Sequence, residues 1–187
     1  MSERLFLILH GWQGSGPDHW QTWLAGRLGH EAGYPDLPEP DTPWLDVWLE
    51  VLDAELARCR DRRCVVVCHS LSCVLWLHHA ARTVGPPVER ALLVAPPSQA
   101  VDNDDLHGFF PLSVEPADLA RAAASTRLVC SENDPYCPEG AVSVYGEPLG
   151  IETDLIPAAG HINPEAGYGP WPAVERWCLD GGGALTG

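Results

Sequence analysis

The chain has 187 residues, of which 45% are hydrophobic and 20% are charged, a composition typical of a globular protein with a sizeable core. Its formal net charge of −15 argues against nucleic acid and anionic membranes as partners, because phosphate groups would be repelled. Its seven cysteines include no C-x-x-C pair, which indicates buried free thiols in a reducing compartment and disfavours a metal site. The first apolar run, Leu5–Leu9, is too short for a signal peptide, so we expect a cytoplasmic protein.

The N-terminal part of the chain alternates apolar strands with amphipathic helices. Leu5–Leu9 is uninterrupted by polar residues, as is typical of a central strand that is covered on both faces. A glycine-rich loop follows over residues 10–16, and Asp18 can cap a helix that begins near Trp20. The next predicted elements are a short strand within residues 32–37, an extended proline-rich segment and an amphipathic helix over residues 44–56.

A strand, a tight turn and a helix are predicted around residues 64–78. The apolar run Cys64–Cys68 stops at a His-Ser pair, and apolar residues then recur from Leu71 at helical spacing. This layout is that of a nucleophile elbow, in which the turn lifts a serine hydroxyl above the carboxyl edge of a parallel sheet. The usual pattern is G-x-S-x-G, whereas Cys68 and Ser72 stand at the two glycine positions here.

The remainder of the chain continues the alternation without an internal repeat. Strands are predicted over residues 90–95, 126–130 and 152–156, and helices over residues 116–124, from about 139 and over 171–179. Residues 96–114 lack periodicity and are expected to form a surface loop with Phe109 and Phe110 as its apolar tip. We therefore predict one α/β domain over residues 1–180, a doubly wound and mainly parallel sheet with helices on both faces, and a flexible tail over residues 181–187.

Three predicted loops at the carboxyl edge of this sheet offer a nucleophile, a carboxylate and an imidazole. They appear in the order Ser70, Asp134, His161, which is the chain order of α/β-hydrolase triads. A serine needs an adjacent base to accept its proton, and a carboxylate would orient that base and stabilise its cationic form. The backbone N–H groups of Leu71 and of Trp12, or a neighbour of Trp12, would form an oxyanion hole.

Five sequence strings in this order, LHGWQGSGPDHW, PDLP, HSLS, ENDPYCP and AGHIN, resemble the family of small serine hydrolases that includes retinoblastoma-binding protein 9 and many bacterial relatives. The resemblance covers nearly the whole chain and implies a minimal α/β-hydrolase fold without a cap domain. It implies that Ser70 is the nucleophile, Asp134 the acid and His161 the base. It also implies a pocket that contains Trp12, His19, Trp20 and Trp171.

We therefore expect a serine hydrolase that needs no cofactor and acts on small carboxylic esters or related acyl compounds. The loop over residues 96–114 contains three prolines, three aspartates and one glycine, which does not suit a helical cap. An open cleft bordered by Phe109, Phe110, Trp12 and Trp171 would bury only a short acyl group. The sequence indicates neither the natural substrate nor a protein partner.

Simpler interpretations of the same residues exist. Ser70 could merely cap its helix, and Glu132 or Asp154 could take the place of Asp134 as the acid. The glycine-rich loop could cradle a phosphate, although it lacks the G-x-G-x-x-G spacing. The chain could also be a binding or scaffold protein that keeps a hydrolase fold with little turnover.

Overall fold

The computed structural model of the chain contains one six-stranded sheet in which every neighbouring pair of strands is parallel. It describes residues 4–101, 103–106 and 108–186. Positions 1–3, 102, 107 and 187 lie outside the described residues; they include the start of the predicted domain, two positions of the 96–114 loop and the last position of the predicted tail. The strand order β2-β1-β3-β4-β5-β6 reverses between β1 and β3, and ligands of open α/β sheets bind at such a reversal.

The order of elements confirms the predicted alternation. The strands are β1 Arg4–Leu9, β2 Ala32–Gly33, β3 Arg63–His69, β4 Arg90–Val94, β5 Thr126–Ser131 and β6 Glu152–Ile156. The helices are α1 Trp20–Leu28, α2 Leu45–Arg58, α3 Leu71–Arg82, α4 Pro116–Ala122, α5 Glu147–Leu149 and α6 Pro172–Asp180. Short 3-10 turns occupy Gly29–Glu31, Asp104–Leu106 and Pro164–Ala166.

Both faces of the sheet are covered, which explains the continuous apolar runs of β1 and β3. Successive side chains of a strand point to opposite faces, so Phe6 and Ile8 pack with α1 and α6, whereas Leu7 and Leu9 pack with α2, α3 and α4. All seven cysteines are buried free thiols, as predicted from their positions in apolar runs. Within the described part of the chain, no helix combines the length and the apolar content needed to cross a membrane.

Two regular elements are shorter than the sequence predicts. The strand expected within residues 32–37 is limited to Ala32–Gly33, because Pro35 begins the extended proline-rich path. In place of a regular helix from about residue 139, the chain forms a π-helical turn over Val142–Gly146 that continues into α5. A Cβ atom on Gly146 would lie 2.8 Å from Thr153 Oγ1, so this segment packs closely against β6.

The loop over residues 96–114 departs from the prediction at its aromatic residues. Phe109 is fully buried and packs against Trp48, so it belongs to the core and is not an exposed tip beside the site. The backbone carbonyl of Phe109 also accepts a hydrogen bond of 2.8 Å from His78 Nε2 on α3. Phe110 is half-buried at the edge of the same core. The described residues of this loop contain one 3-10 turn and no cap domain.

One residue of the predicted tail, Leu185, is buried. This side chain is fully buried in the core layer of α1 and α6, although residues around it form no regular element. Burial of this leucine contributes about 1.5–3 kcal/mol to the contact between the terminal segment and the domain.

Candidate active site

Ser70 lies in a sharp turn between β3 and α3. Its backbone φ is +57°, a left-handed value that costs a residue other than glycine about 1–3 kcal/mol. Its N–H donates to Val94 O at the end of β4, which holds the turn against the sheet. The Ser70 side chain makes no capping bond to α3 within the described residues, so the helix-cap interpretation is not supported.

Gly11, in the loop after β1, lies directly against Ser70. A Cβ atom on Gly11 would lie 2.6 Å from Ser70 Cβ and 2.9 Å from His69 O, so only glycine fits at that position. Cys68 is still part of β3, where it pairs with Leu9 and packs in the core. Ser72 uses its hydroxyl to donate to Leu9 O at 2.7 Å, which ties α3 to the end of β1.

His161 brings the three predicted side chains together. Its Nε2 atom lies 2.9 Å from Ser70 Oγ, and its Nδ1 atom lies 2.9 Å from each carboxylate oxygen of Asp134. Because a carboxylate only accepts, Nδ1 carries the proton and Nε2 is free to accept from the serine hydroxyl. All three side chains are largely buried, with 5–9% of each residue exposed.

The loops after β5 and β6 are tied to each other by a small polar network. Ser131 Oγ donates to Asn133 Oδ1 at 2.7 Å and accepts from Ala159 N–H at 2.9 Å. Asn133 Oδ1 also accepts from Gly160 N–H at 2.8 Å. These bonds fix the backbone just before His161 relative to Asp134.

The two predicted oxyanion donors lie at the ends of neighbouring strands β1 and β3. Leu71 is the first residue of α3, so its N–H has no acceptor inside the helix. In the glycine-rich loop, Gln13 N–H donates to Pro40 O and Gly14 N–H donates to Gly11 O. Trp12 N–H takes part in neither bond, which favours Trp12 over its neighbour as the second donor.

The glycine-rich loop is held in place by His10. His10 Nε2 accepts from Leu37 N–H at 3.0 Å, and His10 Nδ1 donates to Gly11 O at 2.8 Å. Burial lowers the pKa of His10, which keeps the ring in the neutral form that this pair of bonds requires. His10 therefore supports the glycine-rich loop.

Three residues expected in the pocket are buried, and two of them, Trp20 and Trp171, belong to the hydrophobic core. Trp20 is fully buried, and its Nε1 donates to Ile162 O at 2.9 Å. Trp171 packs edge-on against Trp20 at a ring distance of 5.4 Å and is also buried. His19 caps α1 by accepting from Gln21 N–H at 3.1 Å, and 5% of the residue is exposed.

Trp12 and Phe110 remain as half-buried aromatic candidates for substrate contact, and Tyr136 is one that the sequence pattern did not indicate. The Tyr136 ring lies 4.3 Å from the His161 ring, and its backbone N–H donates to Asp134 Oδ1 at 2.9 Å. Its position two residues after Asp134 is the only signal in the sequence that could have suggested this role.

Two further histidines beneath His161 are held neutral. Burial, with smaller contributions from His161 and His10, lowers the pKa of His19 to about 4. Burial also places the pKa of His69 well below its ordinary value. Neither ring therefore opposes a positive charge on His161 at neutral pH.

The alternative acids are not available to His161. Asp154 lies on β6 and forms a bidentate pair with Arg127, with N–O distances of 2.6 and 3.0 Å. Glu132 is exposed. Among the described residues, no group of three or more His, Cys, Asp or Glu side chains is arranged to hold a metal ion.

Comparison with known proteins identifies the family. A family model described as serine hydrolase matches residues 6–179. YdeN of Bacillus subtilis (strain 168), which is named as a hydrolase, is 33% identical over 181 residues, and the match covers 93% of each chain. The solved structure of the ydeN gene product superposes with a TM-score of 0.81 at 20% identity, covering 95% of this chain and 97% of that one. A YdeN-like hydrolase from Pectobacterium atrosepticum superposes with a TM-score of 0.71 at 25% identity, covering 95% and 90%. These matches show that the chain belongs to the serine hydrolase family.

Proposed function

We propose that the chain hydrolyses small carboxylic esters or related acyl compounds through an acyl-enzyme on Ser70. The observation that carries this proposal is the continuous line of hydrogen bonds from Asp134 through His161 to Ser70, each of 2.9 Å. Membership of the serine hydrolase family supports the same reaction class.

The proposed reaction has two halves. In the first, Ser70 Oγ attacks the substrate carbonyl carbon while His161 Nε2 accepts the hydroxyl proton. The negative oxygen of the tetrahedral intermediate accepts hydrogen bonds from the N–H groups of Leu71 and Trp12. The C–O bond to the leaving group then breaks, and His161 returns its proton to the departing oxygen.

In the second half, water replaces the leaving group. His161 removes a proton from the water as its oxygen attacks the acyl carbon, and the bond to Ser70 Oγ then breaks with return of that proton to Ser70. The carboxylic acid product is released, and the Ser70 hydroxyl is regenerated. Asp134 keeps the imidazole in the correct tautomer throughout and stabilises its cationic form.

The surroundings of Ser70 support a small substrate. No cap domain covers the carboxyl edge of the sheet in the described residues, and the aromatic candidates Trp12, Phe110 and Tyr136 are half-buried. A long acyl chain would therefore stay largely in water.

The buried cysteines are poorly suited to act as the nucleophile in place of Ser70. Burial raises the pKa of the Cys68 thiol, and burial, reinforced by the charge of Glu139, raises that of Cys137 to about 12. Both thiols therefore stay protonated at neutral pH, and a protonated thiol is a weak nucleophile.

The proposal is tested with a fluorophosphonate probe, which reacts with an activated serine. The parent protein should be labelled at Ser70, and Ser70→Ala should lose both labelling and hydrolysis of p-nitrophenyl acetate. Ser143→Ala changes an exposed serine and is the matched control, with labelling equal to that of the parent.

Two results would overturn the proposal. Full labelling of Ser70→Ala would mean that another residue is the nucleophile. A folded parent protein that neither reacts with the probe nor hydrolyses the ester would favour a binding or scaffold role for this fold.

A further inference from the structure

Two buried ring N–H groups hold the backbone on which His161 is carried. His69 Nε2 lies 3.0 Å from His161 O, and Trp20 Nε1 donates to Ile162 O at 2.9 Å. A carbonyl oxygen only accepts, so the proton of the neutral His69 ring lies on Nε2. The consecutive carbonyls of His161 and Ile162 thus each accept a hydrogen bond from a buried ring, one at the end of β3 and one at the start of α1.

His69 is itself fixed by aromatic and polar contacts. Its ring lies 4.8 Å from His19, 5.0 Å from His161 and 5.7 Å from Trp20, measured between ring centroids. Its backbone N–H donates to Ser72 Oγ at 3.0 Å. The ring therefore has little freedom to rotate away from the His161 carbonyl.

The backbone next to His161 is strained at Ile162. Ile162 has a φ of +50°, so the backbone immediately after the imidazole is in a conformation that side-chain-bearing residues rarely adopt. Such a conformation persists only where the surroundings impose it, and the two ring N–H bonds act on the carbonyls at this point. A shift of this backbone would move Nε2 away from Ser70 Oγ.

We propose that His69 and Trp20 are positioning residues, which set the distance between His161 Nε2 and Ser70 Oγ by holding the carbonyls of residues 161 and 162. The expected effect on kcat rests on the proposed function. The positioning of His161 by His69 and Trp20 does not. Neither ring touches the substrate carbonyl in the proposed reaction, so the expected effect is on kcat and not on KM.

The experiment compares two substitutions of His69. His69→Phe keeps an aromatic ring of similar size but has no N–H, whereas the amide N–H of His69→Gln can reach the position of the original Nε2. His69→Phe should lower kcat for p-nitrophenyl acetate by roughly 10²-fold, the cost of displacing a catalytic group by about 1 Å, with KM little changed. His69→Gln should recover most of this loss.

Two further variants separate positioning from general loss of stability. Trp20→Phe removes the second ring N–H and should likewise lower kcat. His78→Phe removes another ring N–H bond to a backbone carbonyl, that of Phe109, and should lower the thermal unfolding midpoint without a comparable loss of kcat.

Crystal structures of the two His69 variants give a measurement that does not depend on turnover. The His161 Nε2 to Ser70 Oγ distance should exceed hydrogen-bond range, about 3.5 Å, in His69→Phe and return toward the parent value in His69→Gln. An unchanged distance in His69→Phe would overturn the inference, as would equal kcat values for the two variants. By contrast, ester hydrolysis that survives Ser70→Ala would overturn the proposed function and leave this distance test valid.

Discussion

We expect the stability of the protein to fall in mild acid because His19 is buried as a neutral imidazole. Burial, with smaller contributions from His161 and His10, lowers the pKa of His19 to about 4, against an ordinary value of 6.5 in the unfolded chain. Protonation of Nδ1 would also break the hydrogen bond by which His19 caps α1 through Gln21 N–H. Between pH 6.5 and 4, His19 is therefore mostly neutral in the folded protein and mostly protonated in the unfolded chain.

The sign and size of the effect follow from this difference. Since the pKa of His19 is lower in the folded state, its stabilising effect is complete above 6.5, decreases as the pH falls toward 4 and does not change further below that value. The full difference corresponds to about 3 kcal/mol, and the part lost between about pH 7.5 and about pH 5 is roughly 2 kcal/mol. The buried neutral His69 adds a loss in the same direction.

The assay is urea unfolding of the parent and His19→Asn across this pH range. Asparagine is a good helix N-cap and does not titrate, so the variant should lose roughly 2 kcal/mol less unfolding free energy than the parent between the two pH values. His30→Asn, at an exposed position after α1, controls for the removal of a histidine. Identical pH dependence in the parent and His19→Asn would show that the neutral buried ring does not govern acid sensitivity.

Three further predictions concern the proposed acid, the core and the substrate. Asp134→Asn should lower kcat by on the order of 10⁴-fold, the loss measured for the corresponding change in a serine protease, whereas a larger loss in Asp154→Asn would mean that the acid is misassigned. Phe109→Ala should lower the free energy of unfolding by about 3–5 kcal/mol in urea titrations, and an effect no larger than that of the half-buried Phe110→Ala would contradict the core placement. On p-nitrophenyl esters, kcat/KM should be highest from acetate to butyrate and decline toward octanoate, since each methylene left in water forgoes about 0.8 kcal/mol of burial; a steady rise with chain length would reveal a buried acyl tunnel.

The fold could be predicted because its signals are local. Each central strand is a short apolar run that ends at polar or glycine-rich residues, and the longer helices repeat apolar residues at the helical period. Once the strands are parallel, the loops that carry Ser70, Asp134 and His161 must meet at one edge. The position of each residue just after a predicted parallel strand therefore predicts that the three lie together.

The pocket could not be predicted in the same way, because hydrophobicity does not say which way a loop residue points. Phe109 and Phe110 are chemically identical neighbours, yet the first packs on Trp48 and the second is half-buried. Trp20 and Trp171 likewise lie in the core, where their indole rings pack edge-on against each other. Aromatic residues are common both in cores and in ligand pockets, and only the tertiary packing shows in which of the two a given residue lies.

The geometry around Ser70 and His161 depends on contacts between distant parts of the chain. Gly11, in the loop after β1, approaches Ser70 so closely that no side chain fits between them. The backbone of residues 160–162 is held in turn by Asn133, His69 and Trp20, which come from three other parts of the chain. Because each of these contacts spans more than 25 residues of sequence, no local pattern contains them. A strict motif would therefore miss this elbow, although the surrounding fold brings the serine within reach of its base.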